Sequence, residues 1–290
     1  MKSKSIPFDW INVVLMFLMM LACFYPFYYM LVYSFSDPQL SKFGITLLPK
    51  GFTLENYRKV LTLPNILSAA GVSLLRTGIG TLVTVLCCSL FAYLVTKPMY
   101  GRKIIYRMLV LTMYVNGGLI PTYLVMRLYH LNNNFLIYIL PSALSAYNVI
   151  LIKTFMEQLP PSLEESAILD GASPIVRWWH ILMPLSKPIL ATITVFAAVN
   201  QWNAWFDAHI YMTDSSKWPL QYILYRYLTE AQQAAAMLEK DLNGDMVAKE
   251  ITPAAVRMTV TAVITIPILM VYPFMQRYFV KGIMLGAVKG

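Results

Sequence analysis

Charge is what this sequence has least of. Of its 290 residues 13% are Asp, Glu, Lys or Arg and 58% are apolar, against about 25% and ~45–50% in soluble domains. An ordinary soluble domain is excluded and a membrane chain is expected. Cysteine and histidine are scarce too, at three each. Cys23, Cys87 and Cys88 lie inside apolar runs, where a thiol behaves as a small hydrophobe, so no disulfide framework and no metal set is expected. His130, His180 and His209 are too scattered to form a ligand pair at helical spacing. No glycine-rich phosphate loop with its lysine occurs, so ATP hydrolysis is not expected of this chain. Paired intramembrane carboxylates and internal repeats, the marks of an ion-coupled carrier, are also missing. The excess of 23 Lys and Arg over 14 Asp and Glu, a net +9, is not interleaved with aromatics as a nucleic-acid track would be. Anchoring at lipid headgroups and retention of cationic loops inside the cell account for it.

What the sequence does have is long apolar runs. The first, from about Trp10 to Tyr33, follows Lys2 and Lys4 and exceeds the ~20 residues that cross a bilayer. A signal peptide would have a shorter apolar region and a small-residue cleavage site, which Tyr25-Pro26-Phe27-Tyr28-Tyr29 is not. It reads as an uncleaved span with its N-terminus inside. A polar stretch from Ser34 to Leu67 then reads as an outside loop, and a second span runs from about Ser68 to Thr96. Lys97, Arg102, Lys103 and Arg107 crowd the next connection and place it inside. The third run, about Ile104 to Leu128, is interrupted by Asn116-Gly117-Gly118 and Pro121. Irregular backbone at membrane depth is tolerated where it lines a cavity or is buried in protein, so either a solvent path or a packing kink explains it. Further spans are expected at about Phe135 to Phe155, Pro188 to Met212 and Val256 to Phe279. That gives about six helices with both termini on the cytoplasmic side.

One long segment between apolar runs reads as folded structure: Pro160 to Pro188, PPSLEESAILDGASPIVRWWHILMPLSKP. Ser162 and Glu165 have the spacing of a capping box, with Glu164 and Glu165 favouring the positive end of the helix dipole. Asp170-Gly171 supplies a stop, Ser173-Pro174 a second start, and Pro184 the expected end of the second helix. Two short helices bent about a glycine form an apolar knob flanked by charge. As carboxylates in a helix's first turn, Glu164 and Glu165 lack the enclosed pocket that acid–base catalysis needs, and no catalytic residue is assigned. In the fifth run Asn200, Asn203 and Asp207 fall on one arc at ~100° per residue, with Trp202 and Trp205 beside it. Amides and aromatic faces suit the hydroxyls and C–H faces of sugar rings; helix-to-helix hydrogen bonding with an interfacial Trp belt uses the same residues.

The order Glu165-Ser166-Ala167, Asp170-Gly171-Ala172, Ile181 and Pro184 resembles the EAA loop of the membrane subunits of ABC importers, with Ser166 where alanine is common. The resemblance implies that this loop is a coupling helix seated in a cleft of a cytoplasmic ATPase; a plain surface hairpin joining two spans is the alternative. FTLENYRKVL resembles the first outside loop of carbohydrate-type permeases, and NGGLIPTYLV the third-span region of oligosaccharide permeases. The tail YFVKGIMLGAVKG resembles the C-terminus of maltose-type permease subunits, which implies that Lys281, Gly282, Gly286 and Lys289 reach an ATPase interface, a frayed terminus being the alternative.

Over essentially the whole chain the sequence is similar to type I (MetI-like) ABC importer permeases of the carbohydrate class, especially the oligosaccharide and uronic-acid-oligosaccharide subunits. The resemblance implies an all-α, multi-pass protein of the bacterial plasma membrane, with residues 1–67 as first span and loop, 68–280 as transport domain and 281–290 as tail. It also implies a second permease subunit, two ATPase subunits carrying ATP and Mg, and an extracytoplasmic solute-binding protein. Residues 214–253 form a second outside loop suited to that last partner or to a solvated charged helix. Glu164, Glu165, Ser166, Ala167, Asp170, Gly171, Ala172, Ile181 and Pro184 become the coupling set, and Asn116, Asn200, Trp202, Asn203, Trp205 and Asp207 the substrate-path set. A permease for a non-sugar solute, an ion-coupled carrier and a membrane-anchored sensor or assembly factor are the other classes open to such a chain.

Overall fold

The computed structural model describes residues 7–43, 47–62, 65–229, 254, 255, 257–267, 269 and 270. The expected tail, most of the second outside loop and much of the last span lie outside them. The described residues are helical with no β-strand, and the chain divides into two compact units, Met1–Ile66 with Leu224–Pro267 and Leu67–Ile223 with Ile268–Gly290.

In the first unit, α1 (Pro7–Ser34) is apolar on all sides, and none of its membrane-length apolar stretch is buried. Such a helix is stable where its surroundings are as apolar as itself. Its last turn is closed by the polar loop. Asn56, on α2 (Glu55–Leu61), donates through Nδ2 to the carbonyls of Ser34 at 3.0 Å and Ser36 at 2.8 Å. The Ser34 carbonyl is one of the orphan acceptors that a helix end leaves behind, and Ser36 lies in the chain just past it. Phe35 stacks on Phe52 with ring centroids 5.6 Å apart, so the FTLENYRKVL segment works as a cap on α1.

The second unit is built on α3 (Ile66–Thr96), the other single helix long and apolar enough to cross a membrane among the described residues. The third apolar run is two ten-residue helices, α4 (Arg102–Leu111) and α5 (Leu119–Leu128), separated by the predicted interruption. Pro121 falls in the first turn of α5, where its missing N–H costs nothing, so the break lies at 112–118. The fourth run is not one helix. It holds a 3₁₀ turn, Phe135–Tyr138, then irregular backbone through Pro141, then α6 (Ala146–Met156).

The hairpin follows as α7 (Ser162–Leu169) and α8 (Pro174–Arg177), the latter continued by a π-helical turn, Trp178–Leu182, and α9 (Met183–Leu185). Ser186 ends that stretch, and α10 (Lys187–Asn203) leaves at 86°. A short α11 (Phe206–Tyr211) completes the described core. Cys88, Tyr93 and Val95 of α3, Val149 and Ile152 of α6, Trp178 and Leu182 of the π turn, and Ile193 of α10 form one buried apolar cluster. The hairpin's second arm is thus part of the core.

Three local expectations are corrected. Pro161 is already in helical conformation (φ −61°, ψ −29°), so it takes the cap position and Ser162 lies inside the helix, where its side chain caps nothing. Pro184 does not end the second arm. The Met183 N–H reaches back five residues to the Trp178 carbonyl, and this widened turn absorbs the donor that proline lacks. The fifth run is not one continuous helix either, because it unwinds at Ala204 and Trp205.

Candidate functional site

A break in an apolar run frees backbone groups that lipid cannot satisfy, and in the fourth and fifth runs side chains of α3 and α10 bond to several of them. Thr84 donates to the Ser142 carbonyl at 3.1 Å, and Gln201 Nε2 donates to the Tyr138 carbonyl at 3.0 Å and to Ser142 Oγ at 2.7 Å. The Ala204 carbonyl, exposed by the unwinding of α10, accepts from Arg76 Nη1 at 3.1 Å. Arg76 is 1% exposed. Its remaining donors go to Asp207, at 3.2 Å from Nη1 and 2.6 Å from Nη2, and to Gln201 Oε1, at 3.3 Å from both Nε and Nη2. All five guanidinium N–H groups are therefore used. The guanidinium carbon also lies 4.2 Å from the centroid of the Tyr138 ring. Gly80 makes room for this cluster, since a Cβ there would sit 2.6 Å from Gln201 Nε2.

Beside the cluster is a cavity of about 400 Å³, lined among others by Thr122, Asn200, Asn203, Trp205, Asp207 and Tyr211. A second, of about 270 Å³, shares Ser142, Asn200 and Gln201 with it and extends past Thr84 and Asn148. Four of the six predicted path residues therefore come together: Asn200, Asn203, Trp205 and Asp207. They do so across the helix break rather than along one arc. Asn203 Oδ1 accepts from Gln221 at 3.1 Å, and Asp207 is held by Arg76 and the Ala208 N–H. Trp202 and Asn116 line neither cavity. Asn116 accepts from the Gly118 N–H at 3.0 Å and shapes its own loop.

Arg76, Gln201 and Tyr138 were not predicted. For Arg76 the signal was present: a lone cation in the middle of a 31-residue apolar helix needs a partner, and Asp207 is the acidic residue of the fifth run. For Gln201 and Tyr138 no sequence signal singles them out.

At the hairpin, Gly171 takes φ +76°, and the Gly171 and Ala172 N–H groups bond to the carbonyls of Ile168 (3.0 Å) and Ala167 (2.9 Å). That is a Schellman closure, and Ser173 caps the second arm as expected, accepting from the Val176 N–H. Ala167 is buried. Glu165, Ser166, Asp170 and Pro184 are exposed, and Ile181 and Ala172 half-buried. Ser166 Oγ bonds back to the Ser162 carbonyl at 2.9 Å. Ile168, Leu169 and Ile175 stand exposed, Leu169 at 89%. Glu164 points inward, to Tyr93, Lys97 and Arg177. Lys281, Gly282, Gly286 and Lys289 lie outside the described residues.

Broken apolar helices around cavities that admit amide, hydroxyl and carboxylate groups among apolar walls, with an apolar knob displayed between two of the runs, define a multi-pass membrane transport component. The chain belongs to the family of binding-protein-dependent transport system inner membrane components, which matches residues 85–285. It is therefore a transport subunit, not an enzyme. It is 40% identical over 268 residues to protein LplC of Bacillus subtilis, covering 91% of this chain and 89% of that one. It is 36% identical over 290 residues to the polygalacturonan/rhamnogalacturonan transport system permease protein YtcP of the same organism, covering 99% and 100%. A crystal structure of a bacterial ABC transporter involved in the import of the acidic polysaccharide alginate contains a similar chain. It aligns with TM-score 0.84 and 29% identity over 94% of this chain and 96% of that one.

Proposed function

We propose that this chain is one of two related permease subunits of an ABC importer for oligosaccharides, worked by alternating access. The observation that carries this reading is the hairpin. Its outer arm presents Glu165, Ile168 and Leu169 to solvent while its inner arm is rooted in the transport core through Trp178 and Leu182. A pin with one end free and the other buried is built to receive a push and pass it on.

In this reading the hairpin sits in a cleft of an ATPase subunit, a second copy of that ATPase serves the other permease, and a solute-binding protein delivers sugar from outside. The chain then has six spans with both termini in the cytoplasm and the hairpin therefore on the ATP side, an orientation that the Lys97 to Arg107 charge cluster supports. Lys281, Gly282, Gly286 and Lys289 would add a second contact with the ATPases. The two cavities along α10 are the candidate path, with Asn200 shared between them and Trp205 and Tyr211 offering faces for sugar rings. The relatives' names, with polygalacturonan and rhamnogalacturonan in one and the acidic polysaccharide alginate in the other, support a polymeric or oligomeric sugar as cargo.

Reconstitution tests it. The complete complex in liposomes, supplied with binding protein, is expected to accumulate oligosaccharide only with ATP inside the ATPase-bearing compartment. Uptake driven by an ion gradient without ATP would overturn the reading.

A further inference from the structure

Two adjacent glutamates of α7 do different work. Resting on the reading of the hairpin as the ATPase contact, we propose that Glu164 is a positioning residue that locks the hairpin's outer arm to the end of α3, leaving Glu165 to face the ATPase. Glu164 Oε1 accepts from Tyr93 Oη at 3.1 Å and from Arg177 Nη1 at 3.2 Å, and Oε2 accepts from the Lys97 ammonium. One carboxylate thus joins three elements: α7, α8 and the C-terminal end of α3. The Glu164 and Arg177 side chains are each 14% exposed and Lys97 29%, so the contacts are shielded from full solvent screening. Glu165 is exposed and takes part in none of the ion pairs among the described residues.

The two arms are held differently. The inner arm is fixed by apolar packing of Trp178 and Leu182. The outer arm buries only Ala167, and next to it lies a cavity of about 580 Å³ lined by Tyr93, Lys97, Pro98, Glu164, Ile168 and Arg177. Space of that size lets the arm swing unless something polar stops it. Without Glu164 two cations would face each other across the gap, and Arg177 Nε already lacks a partner. The arm would then yield under load rather than transmit it to α3.

The test uses the whole importer in liposomes, with ATP hydrolysis and sugar uptake measured on the same vesicles. Glu164→Gln is expected to leave the complex assembled but to lower sugar moved per ATP about ten-fold, the size of a typical coupling between sites. Lys97→Gln should lower it in the same direction, and the double variant should be no worse than the poorer single one, because both remove one contact. A purely structural loss would add and would cut assembled complex and ratio together. An unchanged ratio in Glu164→Gln overturns the proposal, and so does release of the ATPases by that variant, which would make Glu164 a docking residue. The underlying reading fails separately: a cysteine placed at Leu169 in the otherwise unaltered complex would not crosslink to the ATPase.

Discussion

Arg76 shows how one residue can decide the architecture around it. A charge inside an apolar helix is expensive unless it is paired, and here the pairing also satisfies a carbonyl that a broken helix leaves bare. Removing Asp207 would strand a buried cation, and breaking such a pair costs about 3–5 kcal/mol. Asp207→Ala is therefore expected to lower the thermal unfolding midpoint of the purified complex markedly. Replacing both partners with apolar residues, Arg76→Met with Asp207→Leu, should recover most of that stability while oligosaccharide uptake stays low. A single Asp207→Ala variant as stable as the parent would show that the pair holds nothing. At Gly80, a methyl group meets the Gln201 amide at 2.6 Å and must push it off Ser142 and Tyr138. Gly80→Ala should cost ~1–3 kcal/mol, the usual penalty of overpacking, and should reduce uptake; denaturation and transport assays read both.

Among the elements, the hairpin was the most legible. Gly171 and the Ser173-Pro174 start do what their chemistry predicts, because caps depend on a few neighbouring residues. Gly171 at φ +76° makes Gly171→Ala a strain of about 1 kcal/mol or more, seen as a lower unfolding midpoint. Leu169 at the tip is 89% exposed, so Leu169→Asp should barely change the subunit's own stability. It is expected to abolish co-purification of the ATPases, and retained ATPase would argue against docking at this tip. The capping box at Ser162 was misleading. Pro161 brings the chain into helical conformation one residue early, and the box has no say once that happens. The end at Pro184 failed for a related reason: a π turn upstream supplies a register in which proline's missing donor goes unused.

For the molecule as a whole, composition and run length announce a membrane protein, and membership of the inner-membrane transport family agrees with it. The coupled machine predicted here has one global signature. ATP hydrolysis by the assembled importer should rise when loaded binding protein is added and should fall back when the hairpin is disabled, as in Leu169→Asp; assays of phosphate release check both.

Local chemistry along the chain was enough to establish that this is a helical membrane protein with a folded hairpin between two apolar runs, since hydropathy, caps and turn residues act over a few positions. The breaks in the fourth and fifth runs, the turning of Glu164 inward, and the meeting of Arg76 with Asp207 needed the folded chain. These features satisfy backbone and charge between residues as far apart as 131 positions; the sequence around Arg76 shows that a buried cation needs a partner, and only the folded chain brings that partner to it.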